Sequence, residues 1–410
     1  MSTATVRAAG VSPDHTSRLP SLTGMRWAAA MMIFCFHIMI ESGFFGQERA
    51  QSTMWWLFCG GRSGVSFFYV LSGFVLTWSA RPKDRVVSFW RRRFARIYPS
   101  HFLTFLGAVA LFSWEGLHLS GRVAAANLTL TQSWFAFAPR YWYGYNGVSW
   151  SLSVEFFFYF MFPFLVPPIT RMGARAWWAI VAVGPGLVIA MPFLMDWVGE
   201  KTGIQPLFLV YQFPPVRLLE FLIGIALALL VRNGRWRGPN MTVSAVVLVT
   251  GLLLTQKLVL WAEKPLISAS ATGIIGCVLL IPAAARADVE GTASIWRNPR
   301  MVRLGEISFA FYLVHELVIF TAMKLFNGPP RLPTVQALAL TIACFSVALV
   351  LATMLHDMVE KPFVKLLSPK PKPKPKSKRQ GSKNAGTDLP GPRNRERSDD
   401  ATAPILAGSS

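Results

Sequence analysis

The stretch Leu22-Thr-Gly-Met-Arg26-Trp-Ala-Ala-Ala-Met-Met-Ile-Phe-Cys-Phe-His37 decides how the rest of the chain is read. A helix that crosses a bilayer needs about 20 mostly apolar residues, and 22–43 supplies them. Only Arg26 and His37 interrupt the apolar run of that stretch with strongly polar side chains. They are 11 residues apart, which at about 100° per residue is nearly three whole turns, so they share one face about 16 Å apart along the axis. A charged group at membrane depth costs at least about 2.5–3.5 kcal/mol, so both are expected to face the interior of a bundle.

The whole chain repeats this character. Of 410 residues, 53% are hydrophobic and only 15% are charged, against roughly 25% charged in soluble proteins. Mean hydropathy is +0.41. This balance excludes a disordered regulator or a nucleic-acid-binding chain despite a net charge of +21. Ten segments are long and apolar enough to be candidate spans: 22–43, 63–80, 97–113, 148–168, 176–195, 215–231, 241–260, 266–285, 304–325 and 333–356. No period of 20 to 50 residues recurs, so a repeat solenoid is not expected. The expected fold is all-α: a polytopic membrane bundle of about ten helices at 22–363, between an N-terminal tail (1–21) and a basic tail (364–410).

Positive charge orients such a bundle. With the N-terminus cytoplasmic, the inside loops before the tail hold 18 Lys and Arg and the outside loops 9, counting Lys257 and Lys324 at the outer ends of their spans. The stretch Arg81 to Arg96 decides this with seven cations. Both termini are then cytoplasmic. Residues 361–410 carry 12 Lys/Arg and 4 Asp/Glu. The Pro-Lys alternation from Pro369 to Lys376 should be extended and solvated, a tail attracted to anionic lipid rather than to nucleic acid. Four cysteines without a CxxC pair suggest neither a disulfide framework nor a zinc site, and no metal is expected. No removable signal peptide is expected at the N-terminus, so the first apolar run should remain as an anchor of a multi-pass cell-membrane protein.

Other polar residues stand where lipid should forbid them. Glu155, in Trp150-Ser-Leu-Ser-Val-Glu155, falls within about 3 Å of the depth of His37 if span four enters from the opposite side, and a carboxylate there could fix the imidazole tautomer. Imidazole itself is suited to accepting and returning a proton near neutral pH. His315 and Glu316 are neighbours in span nine and diverge by about 100°, so at least one should serve packing or an interhelical hydrogen bond. Arg217 and Glu220 have the spacing of an intrahelical pair, and acceptor binding is the other reading. Arg91-Arg92-Arg93-Phe-Ala-Arg96 satisfies the positive-inside rule and also forms forked donors suited to phosphates. Gly60, Gly61 and Gly64 allow close backbone approach. The aromatic loop with Trp134, Phe135, Tyr141, Trp142 and Tyr143 reads as an interfacial belt first and a platform for a sugar ring or macrocycle second.

In order and spacing these segments resemble the acyltransferase 3 family of integral membrane O-acyltransferases. The resemblance runs from Leu22 to about Phe363. It rests on Arg26 and His37, Gly64-Val-Ser-Phe-Phe-Tyr-Val-Leu-Ser72-Gly73-Phe, Arg93-Phe-Ala-Arg96-Ile-Tyr-Pro, Trp150-Ser-Leu-Ser-Val-Glu155, Leu219-Glu-Phe-Leu-Ile-Gly224, Leu304-Gly-Glu-Ile-Ser308 with Tyr312 and His315, and Glu360-Lys-Pro362. The resemblance implies transfer of an acyl group, acetyl or another short chain, from acyl-CoA to a hydroxyl of a glycan, glycolipid or macrolide-type metabolite. It implies a catalytic role for His37 and association of Arg26, Arg93 and Arg96 with the CoA donor; by the chemistry of the residues, His37 is expected to act as general base on the acceptor hydroxyl or as a transient acyl carrier, with Glu155 orienting the imidazole or carrying its charge. His315, Arg217, Glu220 and Trp150 are candidates for acceptor binding. Acyl-CoA is then a co-substrate, with no permanently bound cofactor. The expected partners are the donor, a hydroxyl-bearing acceptor and the bilayer, and a homo-oligomer is compatible with the sequence. Some members carry an extracytoplasmic hydrolase-like domain after the bundle; the residues after Phe363 are too polar to form one, so transfer directly to the acceptor or to a separate protein is expected. The rival reading is a proton-coupled transporter or flippase without acyl chemistry, against which the spans show no inverted repeat.

Overall fold

The structure is a computed structural model that describes residues 18–80, 84–117, 120–136, 139–262 and 265–367. Both tails lie largely outside the described residues, as does the Pro-Lys run. Each of the ten expected segments falls on a helix: α1 (Pro20–Ile40), α2 (Ser63–Trp78), α3 (Val86–Trp114), α4 (Trp150–Met172), α5 (Ala174–Thr202), α6 (Pro214–Arg232), α7 (Met241–Ala262), α8 (Pro265–Val289), α9 (Pro299–Leu325) and α10 (Thr334–Leu355). Seven of these, α1, α3 to α6, α9 and α10, are long and apolar enough to cross a membrane. No strand occurs among the described residues beyond an isolated bridge between Phe45 and Leu332.

Proline at the first helical turn starts α1, α6 and α9 (Pro20, Pro214 and Pro299), where a missing N–H costs nothing. The Asn298 side chain accepts from Arg300 N at 2.9 Å and caps α9. The basic stretch before span three is largely helical rather than a loop: α3 begins at Val86, a full three turns before the expected 97. Arginine is a good helix former, and Arg92 turns outward to pair with Asp84.

Without a hydrophobic drive between helices in lipid, association depends on close packing through small residues. Two glycine pairs provide it. A Cβ on Gly73 would collide with the Phe221 carbonyl, and one on Gly224 with the Val70 carbonyl, so α2 and α6 touch backbone to backbone. Gly305 lies against the Thr23 carbonyl and Gly24 against that of Trp296, seating α1 on α9. Beside the second pair, Trp27 and Phe34 of α1 pack on Phe311 at ring separations of 5.1 and 5.7 Å. This second contact sets where the polar residues of α1 and α9 meet.

Candidate active site

Two cavities sit back to back along α1. The first, about 320 Å³, is lined by Arg26, Arg93 and Arg96 together with Ser72, Glu155, Tyr159, Ser151 and Tyr312. The second, about 130 Å³, is lined by His37, Glu41, Arg62, Tyr143, Trp150, Tyr211, Gln212 and Tyr312. Val65 and Tyr312 belong to both walls. The eleven-residue spacing read from the sequence thus delivers one end of α1 to each cavity.

In the arginine cavity, Arg93 and Arg96 stand one short turn apart on α3 and project beside Arg26 of α1. Glu155 accepts hydrogen bonds from Ser72 Oγ (3.2 Å) and Tyr159 OH (2.5 Å). Arg96 pairs with the buried Glu360 at 3.5 Å, and Glu360 also holds His356 Nδ1 at 2.8 Å. Residues His356–Glu360 form a π turn, an insertion that often marks a functional position. Three guanidiniums therefore face two carboxylates. Arg93 Nε is buried with no hydrogen-bond partner. Such a surplus of forked donors suits phosphate oxygens.

In the histidine cavity, His37 Nδ1 lies 2.7 Å from His315 Nε2, the rings nearly parallel with centroids 5.0 Å apart. His315 Nδ1 lies 2.7 Å from the Tyr312 carbonyl, so it must carry a proton and donate. His315 Nε2 is then an acceptor, and His37 Nδ1 must donate to it. By this assignment His37 Nε2 bears the lone pair. The orienting partner of His37 is thus His315, not Glu155. Residues at equal depth need not meet: the glycine-seated α1–α9 contact turns His37 toward α9, while Glu155 on α4 is engaged by α2.

Neighbouring His315 and Glu316 each make a hydrogen bond to another element, the alternative to packing that the sequence leaves open. Glu316 accepts from Val148 N at 2.8 Å, because the 3₁₀ turn Gly147–Ser149 leading into α4 wraps the flank of α9 that His315 leaves free. It also hydrogen-bonds Glu41. His37, Glu41 and Glu316 place ligating atoms within 4.8 Å of one another, the one set of cation-ligand geometry among the described residues; a carboxyl–carboxylate hydrogen bond already uses a proton in that place.

Arg217 and Glu220 form the intrahelical pair at 3.0 Å, 3% and 1% exposed. Arg217 also donates to Ser66 Oγ at 3.1 Å and lies over the Tyr69 ring. Neither residue lines either cavity. Trp150 does line the histidine cavity, meeting Tyr211 edge to face. Of the aromatic loop, Tyr143 reaches the same cavity, while Trp142 is buried on Phe208. Gly61 and Gly64 admit α1, since a Cβ at either would meet Met32 O or Ile33.

Sequence reading missed Glu41, Arg62 and Gln212. Glu41 had a signal: it lies four residues after His37, hence on the same helical face. Arg62 was counted only as a loop cation, and Gln212 carried no signal.

A profile of the acyltransferase domain family matches residues 19–353. The chain is 40% identical over 377 residues to acyltransferase MdmB of Streptomyces mycarofaciens, covering 87% of this chain and 94% of that protein. It is 26% identical over 227 residues to the peptidoglycan O-acetyltransferase OatA of Listeria monocytogenes, covering 51% of this chain and 33% of that protein. It is equally 26% identical over 232 residues to the O-acetyltransferase OatA of Staphylococcus aureus, covering 49% and 36%. The chain thus spans about a third of the length of these OatA proteins. No solved structure matches. With the family's profile extending over nearly all of the helical body, the chain belongs to the acyltransferase 3 family and is a membrane enzyme that transfers acyl groups.

Proposed function

We propose that this enzyme moves a short acyl group from acyl-CoA, delivered at the arginine cavity, to a hydroxyl presented at the histidine cavity. The observation that carries the reading is the juxtaposition of the two cavities at Val65 and Tyr312, phosphate-type donors on one side and an oriented imidazole on the other. Arg26, Arg93 and Arg96 hold the phosphates of the coenzyme. Glu155 works on this donor side, where it anchors Ser72 and Tyr159. The pantetheine arm runs along the face of α1 for about 16 Å, from Arg26 to His37.

At the junction His37 Nε2 takes the proton of the acceptor hydroxyl as its oxygen attacks the thioester carbonyl. The C–O bond forms, the C–S bond breaks, and the proton passes from His37 to the departing sulfur. His315 holds the tautomer throughout and shares the transient positive charge. The positive-inside pattern supports placing the arginine cavity toward the cytoplasm, where acyl-CoA is available, in the cell membrane.

Purified protein in nanodiscs, given acetyl-CoA and an extract containing acceptors, should release free thiol in step with ester formation. His37→Ala should lower that rate by about 10²-fold or more. The proposal would be falsified if the variant, inserted normally, kept the wild-type rate. A transporter without acyl chemistry would release no thiol at all.

A further inference from the structure

The turn that follows α10 sends its two acids in opposite directions. Asp357, 40% exposed, faces outward and pairs with Arg303 at 2.6 Å and Lys361 at 2.9 Å. Glu360, 2% exposed, faces inward to Arg96 of α3. The outer acid thus has two cations of its own, and the inner one is left to the donor side. The π turn His356–Glu360 sets His356 Nδ1 2.8 Å from Glu360 Oε2. A carboxylate only accepts, so His356 Nδ1 donates. His356 is itself buried, and its Nε2 has no partner among the described residues, which leaves Glu360 as the group its ring engages. Neither His356 nor Glu360 lines the arginine cavity. Both stand behind it.

We propose that Glu360, held by His356, is a positioning residue for donor binding: it keeps the Arg96 guanidinium turned into the cavity to meet the donor's phosphates. The inference rests on the donor reading above and adds the residues that set Arg96. Arg93 is braced by the rings of Phe89 and Tyr159, 5.7 and 5.9 Å from its guanidinium carbon. The Arg96 side chain is 38% exposed, and Glu360 is its ion-pair partner among the described residues. Its charge acts on both Arg26 and Arg93, and repulsion among like charges in one cavity drives a half-exposed cation toward water. Glu360 opposes this from the buried side. Its charge also reaches Arg26, so one acid offsets two cations before a donor arrives. With Oε2 taken by His356, Oε1 is the oxygen presented to Arg96, and it meets one nitrogen at 3.5 Å. A close bidentate carboxylate would compete with phosphate for the guanidinium fork. A single long contact orients the fork and leaves its other N–H groups free.

Full-length protein in nanodiscs is titrated with radiolabelled acetyl-CoA without acceptor, and the label is displaced by adenosine bisphosphate or by pantetheine. The first competitor carries phosphates without the thiol arm, and the second carries the arm without phosphates. Glu360→Gln keeps the shape and the bond to His356 but removes the charge. It should weaken acetyl-CoA and adenosine bisphosphate about tenfold each, the worth of one charge-assisted hydrogen bond, and leave pantetheine unchanged. His356→Ala should reproduce part of that loss. His356→Gln, whose amide can still donate to Glu360, should restore it. If Glu360 served only the packing of the bundle, all three ligands would weaken together, which overturns the inference. Equal affinities in wild type and Glu360→Gln overturn it as well. So does tighter binding of adenosine bisphosphate, since Glu360 would then compete with the phosphates. Where Glu360→Gln yields no inserted protein, the His356 pair decides, and equal adenosine bisphosphate affinity in the two variants overturns the inference. A wild type that binds no acetyl-CoA, or is displaced by pantetheine but not by adenosine bisphosphate, sinks the donor reading beneath it instead.

Discussion

At the residue scale, the proposed mechanism turns on a single proton position. His37 can serve as base only if its Nδ1 proton is engaged, and the His315 imidazole engages it at 2.7 Å. Replacing His315 with Ala should reduce kcat by about 10²-fold, the usual worth of a positioned acid or base, with the donor KM unaltered. His315→Gln, which can still accept from Nδ1, should restore part of the rate; equal rates for the two variants would remove the tautomer argument. The Arg217–Glu220 pair is a separate matter, because it is buried and touches neither cavity. Glu220→Leu leaves an unpaired guanidinium, and breaking a buried pair in this way costs about 3–5 kcal/mol. The expected result is a lowered melting temperature in detergent, with the acceptor and donor KM of surviving protein intact.

The helices meet where glycine removes the side chain between them. Gly73 and Gly224 answer one another across α2 and α6, each facing the other helix's carbonyl. Gly224→Val should force the pair apart and cost about 1–3 kcal/mol or more as an overpacked contact, seen as lower thermal stability and poor yield from membranes. Gly116, where a Cβ would meet nothing within 4 Å, is the matched control. Its φ of +73° lies in the left-handed region, so an Asn there is better tolerated than a β-branched residue. If Gly224→Val were as stable as Gly116→Asn, backbone contact would not be what holds α2 to α6.

For the whole molecule, the proposal requires the arginine cavity and the histidine cavity to open toward opposite sides of a membrane. Arg91 is exposed near the first and Tyr143 borders the second. In intact cells, Tyr143→Cys should react with a membrane-impermeant thiol reagent and Arg91→Cys should react only after permeabilisation. The reverse pattern would place the donor site outside, where acyl-CoA is absent, and would overturn the donor assignment.

The helices were legible in the sequence because apolar character is a local property, and each of the ten expected segments coincides with one, seven of them long and apolar enough to cross a membrane. The α1 face was equally legible, since Arg26 and His37 share it by helical periodicity alone. Helix ends were less so: arginine tolerates helix and loop alike, which hid the early start of α3. Partners were not legible at all. Depth arithmetic could put His37 level with Glu155, but rotation about each helix axis chose between Glu155 and His315, and that rotation follows from the Gly24 and Gly305 contacts of α1 with its neighbours. Gln212 lies at the edge of a short helix, Pro206–Tyr211, with no periodicity to reveal it, and it joins the cavity because that short helix packs its Tyr211 on Trp150 of α4. Local composition and spacing therefore determined which segments are helical and which polar groups lie at depth, whereas packing of small residues between helices decided which of those groups touch.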